Sequence, residues 1–141
     1  MSKILIIEDE IATATPVKAA LELEGINADI AKNGTEGLEL FRQNDYDLIL
    51  LDLKMPGMSG EEVLTEIRKI DPFIDVIIYT NYSDFSDIKK LTNIGIEGYV
   101  NKGPNAELSE LLEMIKSKLA PLTEFVVGKL IDSLPEENTD N

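Results

Sequence analysis

Asp47-Leu48-Ile49-Leu50-Leu51-Asp52-Leu53-Lys54-Met55-Pro56-Gly57-Met58-Ser59-Gly60 is the stretch that decides the fold of this 141-residue chain. Its first part is short and continuously apolar, the pattern of a strand buried on both faces of a parallel sheet. It stops on a carboxylate and a Pro-Gly turn. Ser59-Gly60-Glu61-Glu62 then opens a helix as a capping box, with Ser59 the cap and Glu62 the third helical residue. The same grammar recurs on either side. Lys3-Ile4-Leu5-Ile6-Ile7 runs into Glu8-Asp9, Asp75-Val76-Ile77-Ile78-Tyr79 into Thr80, and Gly98-Tyr99-Val100-Asn101 into Lys102.

Strands are expected near 3–7, 27–31, 47–51, 76–79 and 98–101, with helical stretches between them. The first helix, about 12–24, carries Ala19, Ala20, Leu21 and Leu23 and stops at Gly25. Pro16 implies a late start capped by Thr15 or a kink, because proline suits only a first turn. A second helix follows Asn33-Gly34-Thr35 and buries Leu38, Leu40 and Phe41; the third buries Val63, Leu64 and Ile67. The fourth, around 84–93, has Phe85, Ile88 and Leu91 spaced by three, and the fifth follows Pro104-Asn105 with Leu108, Leu111, Leu112, Ile115 and Leu119 in one stripe. This alternation predicts an α/β fold, a doubly wound, five-stranded parallel sheet in the flavodoxin-like order 2-1-3-4-5. After Pro121, Leu122, Phe125, Val126, Leu130, Ile131 and Leu134 again recur at helical spacing, and 135–141 is acidic and without an apolar residue. The expected organisation is one domain over 1–120, an extra C-terminal amphipathic helix over 121–134 and a disordered tail.

Composition narrows the chemistry. Cysteine is absent, which excludes disulfides and thiolate sites. Histidine is absent too, which removes the usual general base, the commonest transition-metal ligand and any phosphohistidine of the chain's own. Carboxylate oxygens remain, and they suit a hard cation such as Mg²⁺. Asp and Glu outnumber Lys and Arg by 27 to 13, for a formal charge of −14, so direct binding to nucleic acid or an anionic membrane is not expected. Met1-Ser2-Lys3 leads straight into a strand-like run without a signal peptide or spanning segment, and the expected location is the cytoplasm.

Ligands of open parallel sheets bind at the carboxyl ends of the strands, so Glu8, Asp9, Asp52, Thr80 and Lys102 are expected to converge. Three carboxylates repel one another unless a cation neutralises them, and Mg²⁺ is commonly held by such acids with waters and phosphate oxygens. Each residue alone has a plainer reading. An acid before a helix caps it, a strand-end lysine is solvated, a threonine beside a strand is a β-former, and Tyr99 is core. Their coincidence favours a site.

Asp52 to Gly60, Asp-Leu-Lys-Met-Pro-Gly-Met-Ser-Gly after a buried strand, closely resembles the receiver domain of two-component response regulators, in the manner of single-domain chemotaxis regulators. The acidic pair, Thr80 and the Tyr99-to-Lys102 spacing fall where that family has them, and the resemblance covers about residues 2–120. It implies that Asp52 accepts a phosphoryl group from a phosphohistidine on a sensor histidine kinase or histidine phosphotransfer protein. It implies Mg²⁺ held by Asp9, Asp52, the Lys54 backbone carbonyl and, through water, Glu8. Lys102 would pair with Asp52 and then with the phosphoryl oxygens, Thr80 would hydrogen-bond the third oxygen, and Tyr99 would be the switch aromatic that fills space vacated by Thr80. The surface expected to respond is the fourth helix, fifth strand and fifth helix. Such a chain is no enzyme in the ordinary sense, but a phosphoacceptor that assists its own phosphorylation and dephosphorylation.

Three positions depart from the family pattern: Asn81 stands where Ala or Gly is usual, Gly103 where Pro is usual, and Glu8 where Asp is commoner. After residue 120 there is room for one helix and a tail, too little for a DNA-binding output domain. The expected function is therefore a stand-alone receiver acting through a downstream protein or a homodimer. The alternative is a pseudo-receiver that works as an interaction module without phosphate. A haloacid-dehalogenase-type hydrolase is set low, because Lys54 occupies the place of its second Asp.

Overall fold

The computed structural model describes residues 2–81, 85–102 and 107–119, with 85–87 and 107 as backbone only. Strand and helix alternate throughout: β1 (Lys3–Ile7), α1 (Ile11–Leu23), β2 (Asn27–Ala31), α2 (Gly34–Gln43), β3 (Leu48–Leu51), α3 (Gly60–Ile70), β4 (Asp75–Thr80), α4 (Phe85–Ile94), β5 (Gly98–Asn101) and α5 (Glu107–Leu119). All neighbouring strands pair in parallel, in the order β2-β1-β3-β4-β5. This is the doubly wound arrangement expected from the alternation. The segments 121–134 and 135–141 and the position of Gly103 lie outside the described residues.

Successive strand residues point to opposite faces, and this divides the core in two. Leu5, Ile7, Ile49, Leu51, Val76 and Ile78 pack with Leu38, Phe41, Val63, Leu64, Ile67 and Leu91 from α2, α3 and α4. Ile4, Ile6, Leu48, Leu50, Ile77 and Tyr79 pack with Val17, Leu21, Leu111 and Ile115 from α1 and α5. Full burial of each large apolar side chain contributes about 1.5–3 kcal/mol, so the two-sided packing explains why β1 and β3 read as unbroken apolar runs.

The chain leaves β1 toward β2 and returns on the other side to β3, which makes the β1–β3 boundary the switch point where a crevice opens. Register sets its floor. Ile7 lies opposite Leu51, and the Asp52 N–H donates to the Ile7 carbonyl at 3.0 Å. Glu8 and Asp52 therefore leave the sheet side by side.

Helix α1 departs from expectation. It begins at Ile11 and runs through Pro16, so the late start at Thr15 is not made. The carbonyl deprived of its partner belongs to exposed Ala12, where water can serve it. Its buried face is Ala14, Val17 and Leu21, while Leu23 turns outward. Arg68, in the last turn of α3, donates to the carbonyls of Gly95, Ile74 and Asp71 and to Glu97, tying α3 to the approaches of β4 and β5.

The β3–α3 turn is shaped by two glycines. Gly57 has φ +80°, a conformation that side chains resist. At Gly60 an added Cβ would lie 2.7 Å from the Leu53 Cα and 2.8 Å from the Asp52 carbonyl oxygen. Backbone cannot step aside as a side-chain tip can. Gly60→Ala is thus expected to cost about 1–3 kcal/mol through overpacking, despite alanine's helix preference. Urea denaturation should show the lower midpoint; an unchanged midpoint would contradict this tight closure.

Candidate functional site

Three strand ends deliver the acids and their counter-charge. Glu8 and Asp9 follow β1, Asp52 follows β3, and Lys102 follows β5. One oxygen from each of Glu8, Asp9 and Asp52 lies within 4.8 Å of the others. The Lys102 ammonium touches Glu8 Oε1 and stands 3.4 Å from Asp52 Oδ2. These side chains are almost dry: 3% exposed for Glu8, 6% for Asp52 and 8% for Lys102. The Lys102 backbone N–H donates to the Thr80 carbonyl at 2.9 Å, and Thr80 pairs in register with Asn101. Buried Thr80 is thereby held at the same rim.

The electrostatics follow from that dryness. Burial pushes Glu8 from 4.5 to about 7, with the Asp52 charge adding to the rise and the Lys102 contact and the Glu10 N–H opposing it. For Lys102, burial works to lower the pKa, but the hydrogen bond to Glu8 and the charge of Asp52 outweigh it and hold the ammonium above the ordinary lysine value. Asp9 Oδ1 is shut off from solvent and meets no hydrogen-bond donor among the described residues. A buried, unpartnered carboxylate oxygen beside two other acids is what a hard cation would satisfy. The donor set fits Mg²⁺.

The plainer reading of the acids as helix caps is weakened. Glu10, not Glu8 or Asp9, is the cap residue of α1, and its side chain makes no capping bond. Glu8 Oε2 accepts the Glu10 N–H at 3.2 Å, so only Glu8 serves the helix end in part. The expected convergence of Glu8, Asp9, Asp52 and Lys102 is present. Lys54 has an exposed side chain and its backbone N–H approaches Asp52 Oδ1 at 3.5 Å, which keeps its peptide beside the acids. Tyr99 stands further along β5, half-buried against the α2–α4 side of the core, with its hydroxyl 3.4 Å from Asn101 Nδ2. Asn81 is exposed just beyond β4.

One neighbour escaped the sequence reading. The Lys102 ammonium lies 5.6 Å from the centre of the Tyr79 ring, within cation–π range. An aromatic directly before the strand-end threonine was the available signal.

Residues 4–116 match the family model of the response regulator receiver domain. The chain belongs to that family. Receiver domains are in general signalling domains of two-component systems rather than enzymes. The uncharacterized transcriptional regulatory protein YkoG of Bacillus subtilis is 41% identical over 116 residues, which cover 82% of this chain and 50% of that one. The chain spans about half the length of such curated relatives. The chemotaxis protein CheY of Halobacterium salinarum is 31% identical over 100 residues, covering 71% of this chain and 83% of CheY. Among solved structures, the response regulator TrrA of Thermotoga maritima, crystallised in complex with Mg(2+)-BeF, superposes with a TM-score of 0.74 at 38% identity, covering 84% of this chain and 99% of TrrA.

The raised pKa of Glu8 makes the stability of this receiver depend on pH. Its folded value, about 7, exceeds the unfolded 4.5, so the folded state holds the proton more tightly. That contribution is complete below pH 4.5 and is lost as pH rises through 7. Without divalent cations, Glu8→Gln should therefore melt above wild type at pH 8, with the advantage shrinking toward pH 5. Differential scanning calorimetry at both pH values checks it; a constant difference would contradict it.

Proposed function

We propose that this receiver takes a phosphoryl group on Asp52 from the phosphohistidine of a sensor histidine kinase or histidine phosphotransfer protein, and that the modification changes a protein-interaction surface. The observation that carries the reading is the cluster of Glu8, Asp9 and Asp52, the first and last of them buried, with the Lys102 ammonium against those two.

An Asp52 carboxylate oxygen attacks phosphorus, the P–N bond breaks, and its electron pair leaves with the imidazole. Asp52 becomes an acyl phosphate. The protein's part is positioning and charge neutralisation. The Lys102 ammonium lies within reach of Asp52 and meets the negative charge of the incoming oxygens. Thr80 hydrogen-bonds a further phosphoryl oxygen. Asp9, Asp52, the Lys54 carbonyl and, through water, Glu8 would hold Mg²⁺, which when bound would supply the remaining neutralisation of phosphoryl oxygens. The likeness to TrrA, whose crystal holds Mg(2+)-BeF, supports the metal, and another TrrA crystal, in complex with the histidine kinase ThkA, supports the donor class.

The phosphoryl group adds about −1.5 to −2 of charge. Drawing Thr80 toward it frees space for Tyr99, whose ring starts half-exposed on the edge strand β5. The face of α4, β5 and α5 transmits the change to a downstream protein partner or to a second copy. Asn81, exposed at the mouth, tunes the rates. Because no required group is missing, the pseudo-receiver is not the reading favoured.

With Mg²⁺ and a small acyl-phosphate donor, intact-mass spectrometry should show one added phosphoryl group on wild type and none on Asp52→Ala. Chelation of divalent ions should abolish the gain. Lys102→Met should slow it by about a hundredfold, the scale for losing one preorganised electrostatic partner. A wild type that gains no mass would overturn the acceptor assignment.

A further inference from the structure

Strand register lines up three side chains at the acid rim. Ile7 lies opposite Leu51, and Leu51 opposite Ile78, so the next residues, Glu8, Asp52 and Tyr79, form one row across β1, β3 and β4. Tyr79 continues the row to Val100 on β5. Two residues earlier, Ile6, Leu50 and Ile77 pack on the α1–α5 side of the sheet, and strand alternation returns the row to that side. There Glu8, Asp52 and Tyr79 line one small cavity with Ala14 and Val17 of α1.

Lys102 comes to this row from outside. It follows β5, two strand spacings from β3, a distance of about 10 Å. Its ammonium nevertheless touches Glu8 and stands 3.4 Å from Asp52 Oδ2. To arrive there the side chain must cross β4, and the residue of β4 in the row is Tyr79. The crossing leaves the ammonium over the Tyr79 ring, 5.6 Å from its centre. The base of the lysine is fixed nearby, since its N–H donates at 2.9 Å to the carbonyl of Thr80, the residue after Tyr79. Water is nearly excluded from both partners, with the Lys102 side chain 8% and Tyr79 9% exposed.

The plainer reading of Tyr79 is a core aromatic. An isoleucine, like those at 77 and 78, would suit a buried strand position and would also support a lysine's apolar stem. What only a ring adds is a negative face, whose pull on a cation grows as water is removed. We propose that Tyr79 is a positioning residue for Lys102: its ring is the rest over which the lysine crosses β4, and it holds the ammonium against Glu8 and Asp52. Its effect on rate rests on Asp52 being the phosphoryl acceptor. With the ring gone, the ammonium strays from the place where charge develops, and part of the preorganisation that Lys102 supplies is lost.

With Mg²⁺ and a small acyl-phosphate donor, Tyr79→Leu should take up phosphate about tenfold more slowly than wild type, the scale of a desolvated cation–π contact. Tyr79→Phe, which keeps a ring, should stay within about twofold. In a Lys102→Met background, Tyr79→Leu should cause no further slowing, because the two residues act as one unit. Slowing by the same factor with and without Lys102, or equal slowing in Tyr79→Phe and Tyr79→Leu, assigns the side chain to packing alone and overturns the proposal. Tyr79→Met, flexible enough to refill the core, takes the place of Tyr79→Leu should that variant fail to fold. A wild type that takes up no phosphate defeats the acceptor reading instead, and NMR of the resting protein then decides the placement of Lys102. Its ε-CH₂ protons should lie upfield in wild type and Tyr79→Phe, under the ring current, and return to ordinary lysine positions in Tyr79→Leu. Ordinary positions in wild type overturn the proposal.

Discussion

The repulsion among Glu8, Asp9 and Asp52 is the constraint on which the rest of this receiver turns. Three carboxylates share one crevice, Glu8 and Asp52 in it nearly dry, and the ammonium of Lys102 stands against those two. Burying an ion pair is costly by itself, and leaving one member alone costs more. The apolar strands beneath hold the acids together against their own charge. Burial first, and the charge of Asp52 after it, raises the pKa of Glu8, and one Asp9 oxygen meets no donor among the described residues. A crevice in that condition favours whatever brings positive charge to it.

Parallel pairing is what makes the crowding possible. Ile7 and Leu51 sit opposite each other on central strands, so the next residue of each, Glu8 and Asp52, must emerge together. Lys102 arrives from β5 at the far edge, two strands beyond β3. It reaches back along the rim, where its own N–H is held by the Thr80 carbonyl. The β3–α3 turn is closed by the Gly60 N–H on the Leu53 carbonyl at 3.1 Å and by the reciprocal Ser59–Glu62 cap. Local turn chemistry thus keeps the Asp52 backbone where the register put it.

Much of this is legible in the order of residues alone. The capping box at Ser59 is present as expected, because a cap depends on neighbours three residues apart. The strands fall within a residue or so of their expected places, because burial on both faces leaves an unmistakable apolar run. Helix α1 is less legible. Ala19, Ala20, Leu21 and Leu23 offer several faces, and only the sheet selects Ala14, Val17 and Leu21. Pro16 suggests a late start at Thr15 that the helix does not make, since an exposed carbonyl can turn to water. The reach of Arg68 to Gly95 and Ile74 leaves no sequence trace, for a long side chain in a last turn is ordinarily solvated.

The sequence by itself determined the strand–helix alternation, the order of winding and the kinds of group at each strand end, because these depend on local periodicity and on rules of parallel connection. Only the tertiary structure decided which charges meet: that Lys102 lies closer to Glu8 than to Asp52, that Tyr79 lies near the ammonium, and that Leu23 faces outward. Those outcomes depend on register, side-chain reach and desolvation across strands far apart in the chain. No window of neighbouring residues contains that information.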